Sequence, residues 1–231
     1  YKPFAETFIH NFAPEILKAY LHTADGIVSQ HVWVSKPVLR HLLTFFSECI
    51  RPKSMWQLLR PHIQQIIETL VYPHLCFSDE DEELWELAAI DAGRRGPEPL
   101  EELGTPSRAA SRRLNVTGTR RTKSMFEPTL TFITHVLNAY PAQCTARQFD
   151  GALRMCMTIC QTMVHHENVQ NMLDAFFVQH VLPVLKSPEP FLRLRACALI
   201  HAFDSAGMKW QTSQSLETAF PGSCTDRRAR A

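Results

Sequence analysis

The chain has 231 residues, 45% of them apolar and 20% charged, which is enough material for a sizeable core and excludes disorder throughout. Its 24 basic and 23 acidic side chains leave a net charge of +1, so the whole has no bulk attraction to nucleic acid or anionic lipid, and any charge-driven binding must be local. Seven cysteines, odd in number and irregularly spaced, argue against a disulfide framework, and no apolar run approaches the ~18 residues that a membrane span requires; a reducing cytosolic or nuclear setting and no membrane association are expected.

In chain order, Phe4, Phe8, Phe12, Ile16 and Tyr20 recur every four positions and predict one helix with an apolar stripe and room for a bend at Pro14. The chain opens on Tyr1 inside this pattern, so an internal piece of a longer protein is expected. Val38, Leu42, Phe45, Phe46 and Cys49 predict a second helix that stops near Arg51-Pro52. Ser54 reads as the N-cap of a short turn through Leu59, and Pro61 as the first residue of the next helix, which carries Ile63, Ile66, Ile67, Leu70 and Val71.

After Ser78 come five consecutive carboxylates, Asp79, Glu80, Asp81, Glu82 and Glu83, and then Leu84-Trp85. Like charges in a row repel, so they stay solvated around a helix N-terminus or meet a basic partner. Trp85 reads as the anchor of the following helix. From Ala88 to Ser124 there is no aromatic residue, glycines gather, and Arg94-Arg95, Arg112-Arg113 and Arg120-Arg121 appear; such a stretch buries too little apolar surface to order itself, as does the tail from Gln211 to Ala231.

Helical periodicity resumes at Met125 to Leu137, Phe149 to Cys160, Val169 to Phe177 and Phe191 to Phe203. These starts lie roughly twenty residues apart, which matches antiparallel helix pairs at the ~40-residue period of HEAT and armadillo-type arrays. A short internal repeat agrees: Ile63-Gln-Gln-Ile-Ile-Glu68 and Val169-Gln-Asn-Met-Leu-Asp174 match in type at every position, and both runs lead to a proline, a serine and an acidic residue. The expected fold is all-α, an α-solenoid of HEAT-like antiparallel helix pairs: residues 1–87, then a loose or aberrant Arg/Gly-rich linker over 88–124, then 125–210, then a loose tail over 211–231.

No motif for chemistry stands out. Cys156 and Cys160 with His165 and His166 lack the knuckle spacing of a zinc site and read as core residues, so no metal is expected. The arginine pairs with Lys123 have no interleaved aromatics to stack bases, so nucleic-acid binding is not expected. Eleven histidines pair with no nucleophile signature, and there is no Gly-rich phosphate loop. No catalytic residue and no cofactor site is expected.

Several segments, in order, resemble the importin-β (karyopherin-β) superfamily and its importin seven and importin eight branch. They are Trp56 with Arg60-Pro61-His62, Phe77-Ser-Asp-Glu-Asp-Glu-Glu-Leu-Trp85, Asp150-Gly-Ala-Leu153, Gln179-His-Val-Leu-Pro-Val-Leu185, and Leu192-Arg-Leu-Arg-Ala-Cys197 with Leu199-Ile-His-Ala-Phe203. The resemblance fails after Leu87, where the family has an aromatic-rich helical segment and this chain turns to glycine and arginine; a shifted reading frame or retained intron would account for it. What the resemblance implies is a nuclear transport receptor that shuttles between cytoplasm and nucleus. Its partners would be basic protein cargo such as ribosomal proteins or histones, the small GTPase Ran through the full-length receptor, and the phenylalanine-glycine repeats of the nuclear pore. Asp79 to Glu83 would then contact basic cargo. A HEAT or armadillo-type scaffold with no transport role is the alternative, since such arrays serve many purposes.

Overall fold

The computed structural model describes residues 2–95, 123–208 and 210. Among these, every regular element is helical: α1 (Lys2–Asn11), α2 (Ala13–Val28), α3 (Lys36–Cys49), α4 (Lys53–Gln65), α5 (Asp79–Arg95), α6 (Lys123–Ala139), α7 (Ala146–Val164), the short α8 (Glu167–Gln170) and α9 (Leu173–Phe176), and α10 (Pro190–Ser205). The chain divides into two compact units, residues 1–158 and 159–231, with the boundary inside α7. The expected loose segments lie outside the described residues, apart from the end of α5 and the start of α6; α5 runs to Arg95, eight residues past Leu87.

In the first unit α4 is the central helix, packed against α1, α2, α3 and α6. Its core stripe of Met55, Leu59 and Ile63 is buried, and it meets Leu39, Leu42, Leu43 and Phe46 of α3 and Leu17 and Ala24 of α2 in one apolar interior. Three readings of the sequence change. The stripe expected from Phe4 to Tyr20 is broken at Phe12, and Phe4, Phe8 and Phe12 face outwards, the core being served by Ala13 and Leu17 instead. Ser54 does not cap a separate turn: the helix starts at Lys53 behind Pro52, whose extended backbone ends the previous element, and Pro61 lies inside it. The run Val169 to Phe177 is split, because the chain turns at Asn171 and Met172.

The internal repeat is real in structure but shifted in register. Proline has no N–H and its ring crowds the carbonyl four residues earlier, so Pro73 and Pro183 each open the preceding turn from the α pattern to bonds that reach back five residues. The wide turns are Ile66–Val71 and Phe177–Val181. Tyr72 N–H bonds the Ile67 carbonyl, and Leu182 N–H bonds the Phe177 carbonyl at 2.9 Å. Each is followed by a 3₁₀ turn, Tyr72–His74 or Pro183–Lys186. Ile67 therefore corresponds to Phe177, whereas the sequence match pairs Ile67 with Leu173. The turn at Asn171 and Met172 takes up the difference.

In the second unit Phe177 packs edge-on against Phe203 and Trp210, with ring centroids 5.1 and 4.8 Å apart. Helix α10 ends in a Schellman motif: Gly207 has φ 85°, Met208 N–H bonds the Phe203 carbonyl at 3.1 Å, and Gly207 N–H bonds that of Asp204 at 3.0 Å. Ser187, the serine that follows Pro183, does not cap α10. Glu189 occupies the N-cap position, while Ser187 Oγ accepts the Glu189 N–H and Arg193 reaches back to the carbonyls of Ser187 and Pro188.

Helix α2 ends in the same motif, with His31 N–H on the Gly26 carbonyl and Gln30 N–H on that of Ile27, but the left-handed position is held by Gln30 at φ 59°. A side chain there crowds its own backbone, so Gln30→Gly should stabilise the chain by about 0.5–1 kcal/mol in urea unfolding. Half-buried His180, 5.9 Å from Phe176 between ring centroids, has its pKa lowered by burial. The unfolded chain then takes up the proton more readily than the folded one, so this contribution is intact above the ordinary imidazole value of about 6.5 and is lost as pH falls below it. Unfolding midpoints followed from about pH 7.5 to about pH 5 should decline, and His180→Gln should flatten that decline.

Candidate functional site

The site grows from the turn that Pro73 creates. Beyond it Leu75 and Phe77 are buried, and the segment from Tyr72 to Phe77 lies on the first turns of α7. Tyr72 donates its phenol to the Gln148 carbonyl at 2.9 Å, and Phe77 N–H bonds the Arg147 carbonyl at 3.3 Å. Burial pushes the Tyr72 phenol well above its usual range and the Cys76 thiol up to about 11, so both stay neutral at physiological pH.

The close approach depends on Gly151. A Cβ at that position would lie 2.7 Å from Cys76 Sγ and 3.1 Å from both Cα and N of Cys76, and backbone cannot retreat as a flexible side chain can. Its neighbour Asp150 is fully buried and accepts from Arg154 Nε at 2.6 Å. The Asp150-Gly-Ala-Leu153 motif is thus a docking surface for the Cys76 turn. Its polar member is paired one helical turn later, as a buried carboxylate requires.

Two capping boxes start the facing helices. Ser78 caps α5: its N–H and hydroxyl donate to Asp81 Oδ2 at 2.8 and 3.0 Å, and the Asp81 N–H returns to Ser78 Oγ at 3.3 Å. Thr145 caps α7 in the same way, with Gln148 Oε1 accepting the Thr145 N–H at 3.0 Å and Gln148 N–H on Thr145 Oγ1 at 3.2 Å.

The five predicted carboxylates therefore have separate fates. Asp81 is buried and spent on the cap. Asp79 and Glu82, one turn apart on α5, share the guanidinium of Arg147, which reaches Glu82 Oε2 at 2.6 Å. The hydrogen bond to Asp79, before the charges of Asp79 and Glu82, raises the Arg147 pKa. Glu80 pairs with Lys36 at the start of α3. Glu83 is exposed, with no side-chain partner among the described residues, and Glu86 continues its face one turn on. All the pairs are solvent-accessible, the range in which an ion pair contributes no more than about 1 kcal/mol and exchanges readily.

Sequence reasoning placed the acids but not their cations. Lys36 and Arg147 lie 44 and 65 or more residues away along the chain, and no local signal reports such a pairing. The Thr145-x-x-Gln148 box was legible as a helix start and would have put Arg147 in a first turn. Trp85, expected as an anchor, is half-buried. Cys156 and Cys160 lie in the core, Cys160 near the Ala202 carbonyl, and His165 is exposed with Nδ1 2.8 Å from the Gln161 carbonyl. Among the described residues no group of three or more His, Cys, Asp or Glu side chains could hold a metal ion, and no helix is long and apolar enough to cross a membrane. The basic pairs Arg112-Arg113 and Arg120-Arg121 lie outside the described residues.

Helix pairs with caps and a proline-terminated wide turn used twice, with no strand among the described residues, define an all-α protein of the HEAT-like solenoid class. Comparison with known proteins narrows the class. The chain is 27% identical to Importin-8 of Homo sapiens over 95% of its own length, and 28% identical to the Importin beta-like SAD2 homolog of Arabidopsis thaliana over 96%. It is also 23% identical to Nonsense-mediated mRNA decay protein 5 of Saccharomyces cerevisiae over 90%. It spans about one fifth of the length of these relatives, covering 20%, 22% and 21% of them. No family profile and no solved structure matches it. Along nearly its whole length the chain is similar to importin-β-type relatives, Importin-8 proteins among them.

The contact between Gly151 and Cys76 is the most sharply defined feature of the site. Gly151→Ala should destabilise the chain by about 1–3 kcal/mol in denaturant unfolding, the range for overpacking against backbone, and should do so without altering the charge of the surface.

Proposed function

We propose that the chain is a cargo-binding part of a nuclear transport receptor, acting in Ran-regulated import and shuttling between cytoplasm and nucleus. The observation that carries this reading is the similarity to importin relatives along 95% of the chain. Contact with Ran and with the phenylalanine-glycine repeats of the nuclear pore belongs to the same reading and is assigned to the full-length receptor.

The cargo surface is the outer face of α5. Glu83 and Glu86 are available directly; Asp79, Glu80 and Glu82 become available when a stronger basic partner replaces Arg147 and Lys36; Asp81 caps the helix and takes no part. Five surface carboxylates, Asp79, Glu80, Glu82, Glu83 and Glu86, face two cations among the described residues, so the surface keeps a negative balance that suits a ribosomal-protein or histone-like partner. A generic scaffold would lack affinity for phenylalanine-glycine repeats, which separates the two roles.

A salt-dependent pull-down tests the site. The intact chain should retain a histone or basic ribosomal protein at low salt and release it as salt rises. The variant Asp79→Asn, Glu80→Gln, Glu82→Gln, Glu83→Gln, which leaves the Asp81 cap in place, should capture about tenfold less. Equal capture by both chains would remove the acidic face from the cargo site.

A further inference from the structure

From Asp79 to Leu87, helix α5 is attached differently from α3. On α3 the side chains of Leu39, Leu42, Leu43, Phe46 and Cys49 are all buried. On α5, from Asp79 to Leu87, the only buried side chain is that of Asp81, which serves the helix's own cap; Leu84 and Trp85 are half-buried, and Leu87 is 61% exposed. With so little apolar area removed from water, the described part of α5 has no hydrophobic anchor comparable to that of α3.

What it has instead is charge drawn from two other helices. Arg147, at the second position of α7, forks between Asp79 and Glu82; Lys36, the first residue of α3, takes Glu80. The fork is the arrangement by which a guanidinium recognises paired carboxylates, and the two acids lie one turn apart on the face that Glu83 and Glu86 extend. An arginine of this chain therefore already sits where an arginine of a basic partner would sit.

We propose that α5 is a charge-latched arm in which Arg147 and Lys36 stand in for an arginine- and lysine-rich segment, so that such a segment binds Asp79, Glu80 and Glu82 by displacing them and loosens α5 from α3 and α7. The displacement half rests on the cargo reading above; the latch half does not. A helix of this length released from its neighbours is marginal in water, so loosening is visible as faster amide exchange. The device makes binding a competition. Because each pair is exposed and individually weak, a single basic side chain competes poorly for the fork's two carboxylates, whereas a polybasic segment offers several replacements at once.

Hydrogen exchange on the full chain tests this. The amides of Glu83 to Leu87 should exchange about tenfold faster in the double variant Arg147→Gln, Lys36→Gln than in the unaltered chain, and raising the salt should accelerate them in the unaltered chain only. Arg147→Lys, which keeps the charge but loses the fork, should fall between them. Glu83→Gln, which removes an acid with no side-chain partner among the described residues, should leave exchange unchanged, and the amides of Leu39 to Phe46 should stay protected throughout, showing that the array is intact. A short oligo-arginine peptide added to the unaltered chain should accelerate the same α5 amides at an ionic strength where salt alone does not. Equal exchange in the double variant and the unaltered chain overturns the latch, whatever the peptide does. Faster exchange in the variant with no response to the peptide keeps the latch and removes both the displacement and the acidic cargo surface.

Discussion

The missing N–H of Pro73 is the constraint from which the charged surface follows. Because the proline cannot continue the α pattern, the end of α4 widens, Tyr72 bonds back five residues to Ile67, and the chain leaves the helix in a 3₁₀ turn directed onto α7. Tyr72, Cys76 and Phe77 then dock on Arg147, Gln148 and Gly151, which sets where Ser78 starts α5 and therefore which carboxylates can reach Arg147. Pro183 repeats the wide turn and its five-residue bond in the second unit, so the device is a property of the array and not of one site.

That chain of dependence separates structural from functional roles within one short motif. Of five consecutive acids, one is committed to a helix cap, three are held by cations from other helices, and one is open to solvent. A run that is uniform in sequence is thus graded in availability. The grading arises from helical geometry: residues one turn apart share a partner, while their immediate neighbours face elsewhere. Under the proposed cargo role, it decides which side chains a partner meets first and which it must compete for.

The resemblance motifs turn out to be largely architectural. Asp150-Gly-Ala-Leu153 combines a buried ion pair with a glycine that admits the Cys76 backbone, and the segment around Pro183 is the second wide turn. These features preserve helix contacts, in keeping with similarity that runs along nearly the whole chain.

Much of the architecture was legible in the residues because helices are local: apolar spacing placed α3, α6, α7 and α10, and Ser78 ahead of a run of acids marked a helix start. Locality also explains the misreadings. Phe4, Phe8 and Phe12 keep a perfect helical spacing yet face outwards, since periodicity identifies a face without identifying what covers it. The six-residue repeat had the right sense and the wrong register, because the prolines set the register and the turn at Asn171 and Met172 absorbs the offset. The sequence by itself determined most of the helices, the cluster of negative charge and the family likeness, all of which depend on residues within a turn or two of one another. Only the tertiary structure decided that Lys36 and Arg147 close on Asp79, Glu80 and Glu82, because that pairing joins helices far apart in the chain and is fixed by how the Cys76 turn packs on Gly151.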